Sequence, residues 1–168
     1  MNPSAFLARY RPIAIYHFTD SRNIPSILKH GILSKIELGE QVVGVYGFGG
    51  NYLSQNLDSK KNLWDYVHLC FTENHPMAYR AQQDGRIDCL TYIKIKPEVL
   101  LLPGVMGCAT VANKQSSEIL PIEQVLDKIN FDVIYVPRPD FSSTEYKIGA
   151  RSEILVPKSI DIKNILNF

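Results

Sequence analysis

Hydrophobic and polar residues follow two different periods along this chain. Residues 13–18 are β-branched and aromatic, and residues 88–96 alternate apolar and polar side chains as a half-buried strand does. Residues 122–129 instead place apolar side chains at helical spacing, and Pro76 opens a second helical segment that continues to about Gln83. The chain therefore mixes strands and helices from one end to the other.

A third helix is predicted from the residues at its two ends. Asn23 is a suitable N-cap, Pro25 falls in the tolerated first turn, and Gly31 suits a left-handed cap at the carboxyl end. Further short strands or extended segments are predicted at residues 32–34, 42–46, 66–71, 99–102, 132–136, 152–156 and 160–166. The stretches predicted to be loops are residues 47–62, 104–117 and 137–149.

The order of these elements decides the fold class. Strands and short helices interleave at uneven spacing, whereas a doubly wound parallel sheet needs a regular alternation of strand and helix. We therefore predict an α+β fold with two small β-sheets and flanking short helices. A chain of 168 residues suits a single domain, residues 1–168, because about two thirds of its surface can be buried without disulfides or metal.

Charge and hydropathy narrow the class of protein. The net charge is +1, so charge alone gives no reason to expect a nucleic-acid partner. No apolar run approaches the roughly 20 residues that a membrane helix needs, and residues 1–11 lack the pattern of a secretory signal. We expect no membrane association and a cytoplasmic location.

The cysteines and histidines form no pattern typical of a metal site. Cys70, Cys89 and Cys108 are widely spaced in apolar surroundings and include no CxxC pair, and the four histidines have no ligand spacing. We predict three buried free thiols in a reducing compartment, and no bound metal.

Three short segments carry polar side chains suited to chemistry. The first is residues 16–19, at the end of the first predicted strand. His17 and Thr19 could hydrogen-bond the sugar hydroxyls or the amide of a ligand there. The alternative is a core histidine satisfied by the backbone, with a threonine that only caps the next helix.

The other two segments lie on later strands. Tyr66 begins the predicted strand 66–71 and is compatible with an ordinary strand aromatic. His75 precedes a proline and could bind an anion or lie at the surface. Glu153 stands at the mouth of the apolar run 154–156, where a carboxylate is costly unless it is paired or functional. Its alternative role is a salt bridge with Arg151 or with a lysine.

Taken in order, these segments resemble the DarT family, the toxin partner of the DarT–DarG toxin–antitoxin pair. The resemblance rests on IYHFT (15–19), NIPSIL (23–28), HGILS (30–34), LWDYV (63–67), PM (76–77) and SEILVP (152–157), with weaker similarity in residues 107–110 and 126–134. It implies an ADP-ribosyltransferase-like fold with two small packed β-sheets around an NAD cleft. It also implies transfer of ADP-ribose from NAD, as co-substrate, to a base of single-stranded DNA.

The resemblance implies a role for each matching residue. His17 and Thr19 would hold the nicotinamide end of NAD and its ribose, and Glu153 would contact that ribose and assist the acceptor nucleophile. The residues implied to line the NAD cleft or its floor are Asn23, Gly31, Leu33 and Tyr66. A role as the toxin of a toxin–antitoxin or phage-defence system, with an antitoxin protein as partner, is implied by the resemblance alone.

The sequence departs from the family pattern in two places. The arginine that the family carries between the first two segments has no counterpart, because Arg22 lies at the helix start, and Lys60 or Lys61 is the predicted catalytic substitute. Lysine lacks the planar fork of arginine, so the exchange is not conservative. Residues 67–70, with His68, replace a more aromatic run that contains proline. The acceptor therefore stays open between single-stranded DNA, RNA, another DNA base and protein.

Two further classes of function are compatible with the sequence. One is a non-catalytic module that binds NAD, ADP-ribose or a protein on the same fold, and the other is hydrolysis of NAD without a macromolecular acceptor. For an enzyme, we predict that the loop 137–149 selects the acceptor. The aromatic residues predicted to stack on bases are Tyr52, near Lys60, and Tyr146, near Lys147.

Overall fold

The computed structural model describes residues 1–47, 62–112 and 117–167. Within these residues the strands are β1 (Ile15–Asp20), β2 (Ile32–Leu33), β3 (Tyr66–Cys70), β4 (Leu90–Ile95), β5 (Met106–Cys108), β6 (Leu120–Pro121), β7 (Glu153–Pro157), β8 (Ser159–Ile160) and β9 (Ile165–Asn167). The α-helices are α1 (Pro3–Tyr10), α2 (Ile24–His30), α3 (Lys35–Glu40), α4 (Pro76–Gln83), α5 (Ile122–Lys128) and α6 (Thr144–Ala150).

The strands form one large and one small antiparallel sheet. The large sheet has seven strands in the order β6-β5-β7-β3-β1-β4-β9, and β2 pairs with β8 in the small one. The predicted α+β class with two sheets is confirmed, although the two sheets differ greatly in size. Antiparallel pairing agrees with the absence of a regular strand–helix alternation in the sequence.

The large sheet narrows sharply between β1 and β3. β1 pairs with β4 along its whole length, from Ile15↔Ile95 to Asp20↔Leu90, and β3 pairs with β7 along its whole length. β1 and β3, in contrast, share a single register pair, Tyr16↔Cys70. The two halves of the sheet therefore separate beyond this pair, and a cleft opens there.

The main core lies on the face of the sheet opposite to the side chain of Glu153. Ile154 and Val156 of β7 face this core, whereas Leu155 belongs to a smaller cluster on the other face. α1 contributes Phe6, whose ring lies 4.7 Å from that of Phe131. Burial of Phe6 stabilises α1, because an isolated helix of eight residues is only marginally stable in water.

Several predicted strands are wrong, and local contacts explain each error. Residues 42–46 form no strand, since Val42 has φ +54° and is largely exposed. Residues 97–101 form a 3₁₀ helix that buries the adjacent side chains of Val99 and Leu100, which an alternating strand would place on opposite faces. Residues 131–133 form a 3₁₀ turn capped by Asn130, whose side chain accepts a hydrogen bond from the backbone N–H of Asp132.

Two predicted loops also contain regular structure. The segment 104–117 includes β5, which extends the large sheet beyond β7. The segment 137–149 includes most of α6, which begins after Ser143, whose hydroxyl accepts a hydrogen bond from the backbone N–H of Tyr146. The final segment 160–166 is extended only at its ends, with a 3₁₀ turn at residues 162–164 between them.

The cysteines are only partly as predicted. Cys70 and Cys108 are buried thiols, whereas Cys89 is exposed. Among residues 1–47, 62–112 and 117–167, no helix has both the length and the apolar character required to cross a bilayer. The same residues contain no cluster of three or more histidine, cysteine or acidic side chains arranged to hold a metal ion.

Candidate functional site

The cleft between β1 and β3 has a volume of about 230 Å³. It collects every predicted site residue that the structure describes: His17, Thr19, Asn23, Gly31, Leu33, Tyr66 and Glu153. The predicted catalytic residues Lys60 and Lys61 lie outside the described residues. Segments that lie far apart in the sequence therefore meet at one place in the fold.

Glu153 lies on the floor of this cleft, at the first residue of β7. Its carboxylate is buried, and its Oε2 atom accepts a hydrogen bond from Nδ1 of His68 at 2.8 Å. Its Oε1 atom lies 3.6 Å from Nε2 of His75. The described ion-pair partners of Glu153 are thus two histidines, and neither Arg151 nor a lysine fills that role among the described residues.

These partners determine the protonation state of Glu153. Burial raises the pKa of its carboxyl group. The hydrogen bond and charge interaction with His68, together with His75 and the backbone at Ala112, lower this pKa by more than burial raises it. The net result is a pKa below the usual glutamate range. Glu153 is therefore an anion at neutral pH although it is shielded from water.

His75 is buried, which excludes the surface position considered from the sequence. Its Nδ1 atom accepts a hydrogen bond from the backbone N–H of Met77 at 3.3 Å and so caps α4. Burial lowers the pKa of His75, while the charge of Glu153 and the carbonyl of Arg151 act in the opposite direction. In the resulting neutral ring Nδ1 is the acceptor, so the hydrogen resides on Nε2, the atom that faces Glu153.

His17 occupies the gap where β1 and β3 separate. Its Nδ1 atom lies 3.0 Å from the backbone oxygen of His68 and donates to it. Burial lowers the pKa of His17, so the ring is neutral and Nε2 is left as a hydrogen-bond acceptor. The sequence alternative, a histidine satisfied by backbone, is correct for one nitrogen, and the ring still lines the cleft.

Asn23 precedes α2 as predicted, but its side chain does not cap the helix. Its amide nitrogen donates to Oγ1 of Thr19 at 3.0 Å and to the carbonyl of Tyr46 at 2.9 Å, and its oxygen accepts from the N–H of Tyr46 at 2.7 Å. The segment around Tyr46, which borders the cleft at Val45 and Gly47, is held by this amide. Asn23 therefore ties the two rims of the cleft together.

Gly31 ends α2 with a positive φ of +75°, but its ψ of −168° lies outside the left-handed helical region that was predicted for it. A β-carbon at this position would lie 2.3 Å from the carbonyl oxygen of Ile160 in β8. Only glycine allows the end of α2 to pack this closely against β8 of the small sheet. Gly31 and Leu33 of β2 both line the cleft at this point.

Arg22 is engaged in an ion-pair network at the end of β1. It donates to both oxygens of the buried Asp20 at 2.8 Å and to Asp88 at 2.8 Å. Its guanidinium group also lies 4.8 Å from the ring centroid of Tyr46. Sequence reasoning rejected Arg22 as the family's arginine, and its contacts in the structure are those of a structural residue.

Lys35 is a cleft residue that sequence reasoning missed. It is the first residue of α3, which was not predicted, and its Nζ atom lies 3.9 Å from the centroid of the Trp64 ring. Both side chains line the cleft. The signal that could have identified Lys35 is its place directly after Ser34, whose hydroxyl caps α3.

Tyr146, one of the two predicted base-stacking residues, is not free to stack on a base. Tyr146 is buried, its hydroxyl accepts a hydrogen bond from Asn74 at 2.9 Å, and Phe141 packs against it at 5.0 Å. Phe141 is the exposed aromatic of this segment, with 58% of its surface accessible. Tyr52 lies outside the described residues.

The chain has an ADP-ribosyltransferase-like fold, the class of fold found in solved DarT and DarTG structures. Thermosipho africanus DarTG in complex with ADP-ribose aligns over 90% of this chain and 42% of its own, with a TM-score of 0.69 and 23% identity. Thermus sp. 2.9 DarT in complex with ADP-ribosylated ssDNA aligns over 92% and 79%, with a TM-score of 0.70 and 16% identity. The same enzyme in complex with NAD⁺ gives a TM-score of 0.60 at 16% identity and the same coverage.

The sequence comparison identifies the family within that class. Residues 16–168 match the family described as "ssDNA thymidine ADP-ribosyltransferase, DarT". The chain therefore belongs to the DarT family, and the resemblance seen in the sequence is confirmed. A DNA ADP-ribosyl transferase-DNA ADP-ribosyl glycohydrolase fusion protein of Thermosipho africanus (strain H17ap60334) is 27% identical in an alignment of 163 residues that covers 90% of this chain. The chain spans 40% of that relative's length.

Proposed function

We propose that this chain transfers ADP-ribose from NAD to a thymidine base of single-stranded DNA, with Glu153 as the catalytic carboxylate. The observation that best supports this function is the placement of Glu153. Its carboxylate lies on the floor of the cleft, is buried, and keeps its negative charge through contacts with two histidines. The acceptor follows from the family, whose description names thymidine of ssDNA.

A buried anion suits the chemistry of this reaction. The bond between nicotinamide and ribose breaks while a bond forms from a base nitrogen to the same ribose carbon, and the base nitrogen loses its proton. Positive charge develops on the sugar in the transition state, and a fixed carboxylate in a dry cleft stabilises this charge better than water does. The same carboxylate can accept the proton, an effect worth typically 10²- to 10⁴-fold in rate.

His17 and Thr19 are the proposed ligands of the nicotinamide ribose end. The neutral ring of His17 offers Nε2 as an acceptor, since its other nitrogen donates to the backbone. Thr19 accepts from Asn23, which leaves its hydroxyl hydrogen for a ligand oxygen. One acceptor and one donor on β1 therefore match an amide or a pair of sugar hydroxyls. The proposed walls of the site are Gly31, Leu33 and Tyr66.

The diphosphate of NAD requires a cation, and this chain lacks the arginine expected of the family. Lys35 is the lysine that lines the cleft among the described residues. We assign it to the diphosphate, because a compact ammonium group binds phosphate as a point charge without the forked geometry of arginine. Lys60 and Lys61 stay sequence predictions for the missing arginine.

A second hollow, of about 260 Å³, supports an acceptor site next to the cleft. The residues that line it are Asn74, Pro76, Phe141, Tyr146, Lys147, Ala150 and Arg151. Asn74 precedes His75, which faces Glu153, and Arg151 lies two residues before Glu153. The lining therefore offers an exposed aromatic ring and two cations in segments that adjoin His75 and Glu153 in the chain, which suits a base and the flanking phosphates of a single strand.

One labelling experiment tests the proposed reaction. The protein is incubated with NAD labelled on the adenine-ribose side, and with thymidine-containing single-stranded DNA, RNA or a protein mixture, while nicotinamide release and label transfer are followed separately. We expect both with single-stranded DNA, and neither with a folded Glu153→Gln variant. Glu98→Gln is the matched control, because Glu98 is an exposed glutamate far from the cleft lining, and it should act like the wild type.

Each other result identifies a different function. Release without transfer would indicate an NAD hydrolase, and no release would indicate a module that binds NAD or ADP-ribose. Label on RNA or protein alone would overturn the proposed acceptor. Full labelling of DNA by folded Glu153→Gln would exclude Glu153 as the catalytic carboxylate.

The relative from Thermosipho supports a proposal about the partner. Its name joins a DNA ADP-ribosyl transferase to a DNA ADP-ribosyl glycohydrolase in one fusion protein. We propose that this chain likewise acts as a toxin that is opposed by a glycohydrolase which removes ADP-ribose from DNA. Removal of the label from modified DNA by a co-expressed glycohydrolase partner, together with rescue of growth, is the expected result.

A further inference from the structure

We propose that His68 and His75 are positioning residues that grip the carboxylate of Glu153 from two sides and fix the direction in which it faces the cleft. The proposal rests on the proposed function of Glu153 and adds two residues to it. His68 lies in the run that departs from the family pattern, and no role is predicted for it from the sequence. The two histidines touch Glu153 and act on the reaction through it.

Each oxygen of the carboxylate has its own histidine. Oε2 accepts from Nδ1 of His68 at 2.8 Å, a short charge-assisted distance, and Oε1 lies 3.6 Å from Nε2 of His75. The hydrogen bond from His68 fixes the position of Oε2, while the buried Nε2 of His75, which has no hydrogen-bond partner among the described residues, faces Oε1. The carboxylate therefore has one preferred orientation before any ligand enters.

The fold holds both histidines rigidly. His68 is in the middle of β3, paired with Leu155 of β7, and Cys70 on the same face pairs with Glu153 itself. His75 caps α4 through Nδ1, and its ring is stacked on Phe18 at a centroid distance of 5.7 Å and an angle of 20°. The pairing of β3 with β7 fixes the backbone of His68 next to Glu153, and the ring of His75 cannot turn away without losing its helix cap and its stacking on Phe18.

The surroundings of the carboxylate make these contacts necessary. From β3 it faces the titratable groups of His68 and Cys70, from the start of α4 it faces His75, and from β5 the residue paired with it is Cys108. Both thiols are buried, and burial raises the pKa of the Cys70 thiol. A buried carboxylate is strongly destabilised unless charge or hydrogen bonds compensate for the lost water, and among the described residues the two histidines and the backbone at Ala112 provide this compensation.

Substitutions at His68 separate positioning from simple packing. The Nδ2 atom of asparagine falls close to the position of histidine Nδ1, so His68→Asn keeps a donor for Oε2 while removing the ring. His68→Leu keeps the bulk and removes the donor. We expect His68→Leu to lower kcat by about 10- to 100-fold, the effect of one charge-assisted hydrogen bond, with little change in KM for NAD. His68→Asn should retain most of kcat.

A second measurement needs no transferase activity. The Glu153 carboxyl carbon, labelled with ¹³C and assigned by its loss in Glu153→Gln, reports protonation by NMR. We expect its titration midpoint to lie at higher pH in His68→Leu than in the wild type, and near the wild-type midpoint in His68→Asn. His75→Asn should also raise the midpoint while α4 stays capped, because asparagine is itself a good N-cap.

The two measurements distinguish the failure of this proposal from the failure of the proposed function. If the wild type has no transferase activity but the titration midpoint of Glu153 is still raised in His68→Leu, the positioning role of the histidines is supported and only the transferase function is refuted. An unchanged midpoint and unchanged kcat in folded His68→Leu would overturn the grip. Equal losses of kcat in His68→Leu and His68→Asn, with the midpoint unmoved, would assign His68 to packing and also overturn it.

Discussion

The buried aspartate at the end of β1, Asp20, provides a quantitative test of how its ion pair with Arg22 stabilises the fold next to the cleft. Asp20 is fully buried and accepts five hydrogen bonds, three from Arg22 and one each from the backbone N–H groups of Asp88 and Cys89. Asp20→Asn removes the charge and replaces one oxygen by an amide group that can only donate. At least one of the N–H groups around it would then face another donor.

The expected loss of stability follows from these contacts. Removal of one partner of a buried ion pair costs about 3–5 kcal/mol, and the lower end applies here because the Arg22 side chain is 44% exposed and keeps its contact with Asp88. We therefore expect a loss of about 3 kcal/mol. For a domain of this length, that corresponds to a decrease in Tm of about 6–12 °C.

Chemical denaturation at neutral pH measures this loss directly. Trp64 is the single tryptophan of the chain, so its fluorescence reports on the cleft, and far-ultraviolet circular dichroism reports on the sheet. The matched control is Asp88→Asn, which also removes a carboxylate from Arg22. Because the Asp88 side chain is 61% exposed, that loss should be about 1 kcal/mol or less.

The pH dependence of this difference provides an independent check. The hydrogen bonds from Arg22 hold the pKa of Asp20 well below its usual 3.8, and the backbone donors act in the same direction. A group with a depressed pKa in the folded state stabilises fully above its ordinary pKa, and this contribution is lost as the pH falls. The difference between wild type and Asp20→Asn should therefore be constant above about pH 5 and shrink below pH 4. Equal effects of Asp20→Asn and Asp88→Asn at neutral pH would refute this reasoning.

Two further predictions concern the histidines and the acceptor hollow. Burial lowers the pKa of His17 and of His75, so below pH 6.5 the unfolded chain binds protons that the folded chain does not. The free energy of unfolding should therefore fall by up to about 1.4 kcal/mol per pH unit for each histidine as the pH decreases. Denaturation curves that superimpose at pH 7.5 and 5.5 would contradict this prediction. Phe141→Ala should weaken binding of single-stranded DNA about 5- to 100-fold without changing KM for NAD, whereas Ile148→Ala, which removes a similarly exposed apolar side chain of α6, should not. Fluorescence anisotropy with a short thymidine-rich strand measures both, and equal affinities would reject Phe141 as a stacking residue.

The parts of the site with strong local signals were predictable from the sequence. The strands that carry His17 and Glu153 are runs of β-branched and apolar residues, and the helix that begins at Pro76 has the predicted bounds. Gly31 was predicted from the same kind of local rule, since a helix end that needs positive φ selects glycine. Each of these features depends on residues that are close together in the chain.

Short elements stabilised by distant contacts could not be predicted in this way. α6 lies in a polar stretch and buries Tyr146 together with two small residues, and α3 buries no side chain fully. Helices of six or seven residues have little stability of their own, so packing against the rest of the fold decides whether they form. Lys35 was missed for this reason, because its position at the cleft depends on a helix without an amphipathic pattern.

The histidine partners of Glu153 could not be predicted for a different reason. His68 precedes it by 85 residues, and only the register of β3 with β7 places the two on one face. The sequence showed His68 as a departure from the family without a role. Its role depends on strand pairing, which no local pattern of residues records.

The narrow junction between β1 and β3 makes His68 a link between the two ends of the site. Beyond the single register pair of β1 and β3, Tyr16↔Cys70, Nδ1 of the His17 ring lies 3.0 Å from the carbonyl oxygen of His68. The side chain of the same residue donates to Glu153. One residue of β3 therefore fixes, through its backbone, the tautomer of the proposed nicotinamide ligand and, through its side chain, the orientation of the proposed catalytic carboxylate. A shift of β3 at this point would disturb both groups together, so ligand binding and catalysis should depend on the same few contacts at the point where the sheet divides.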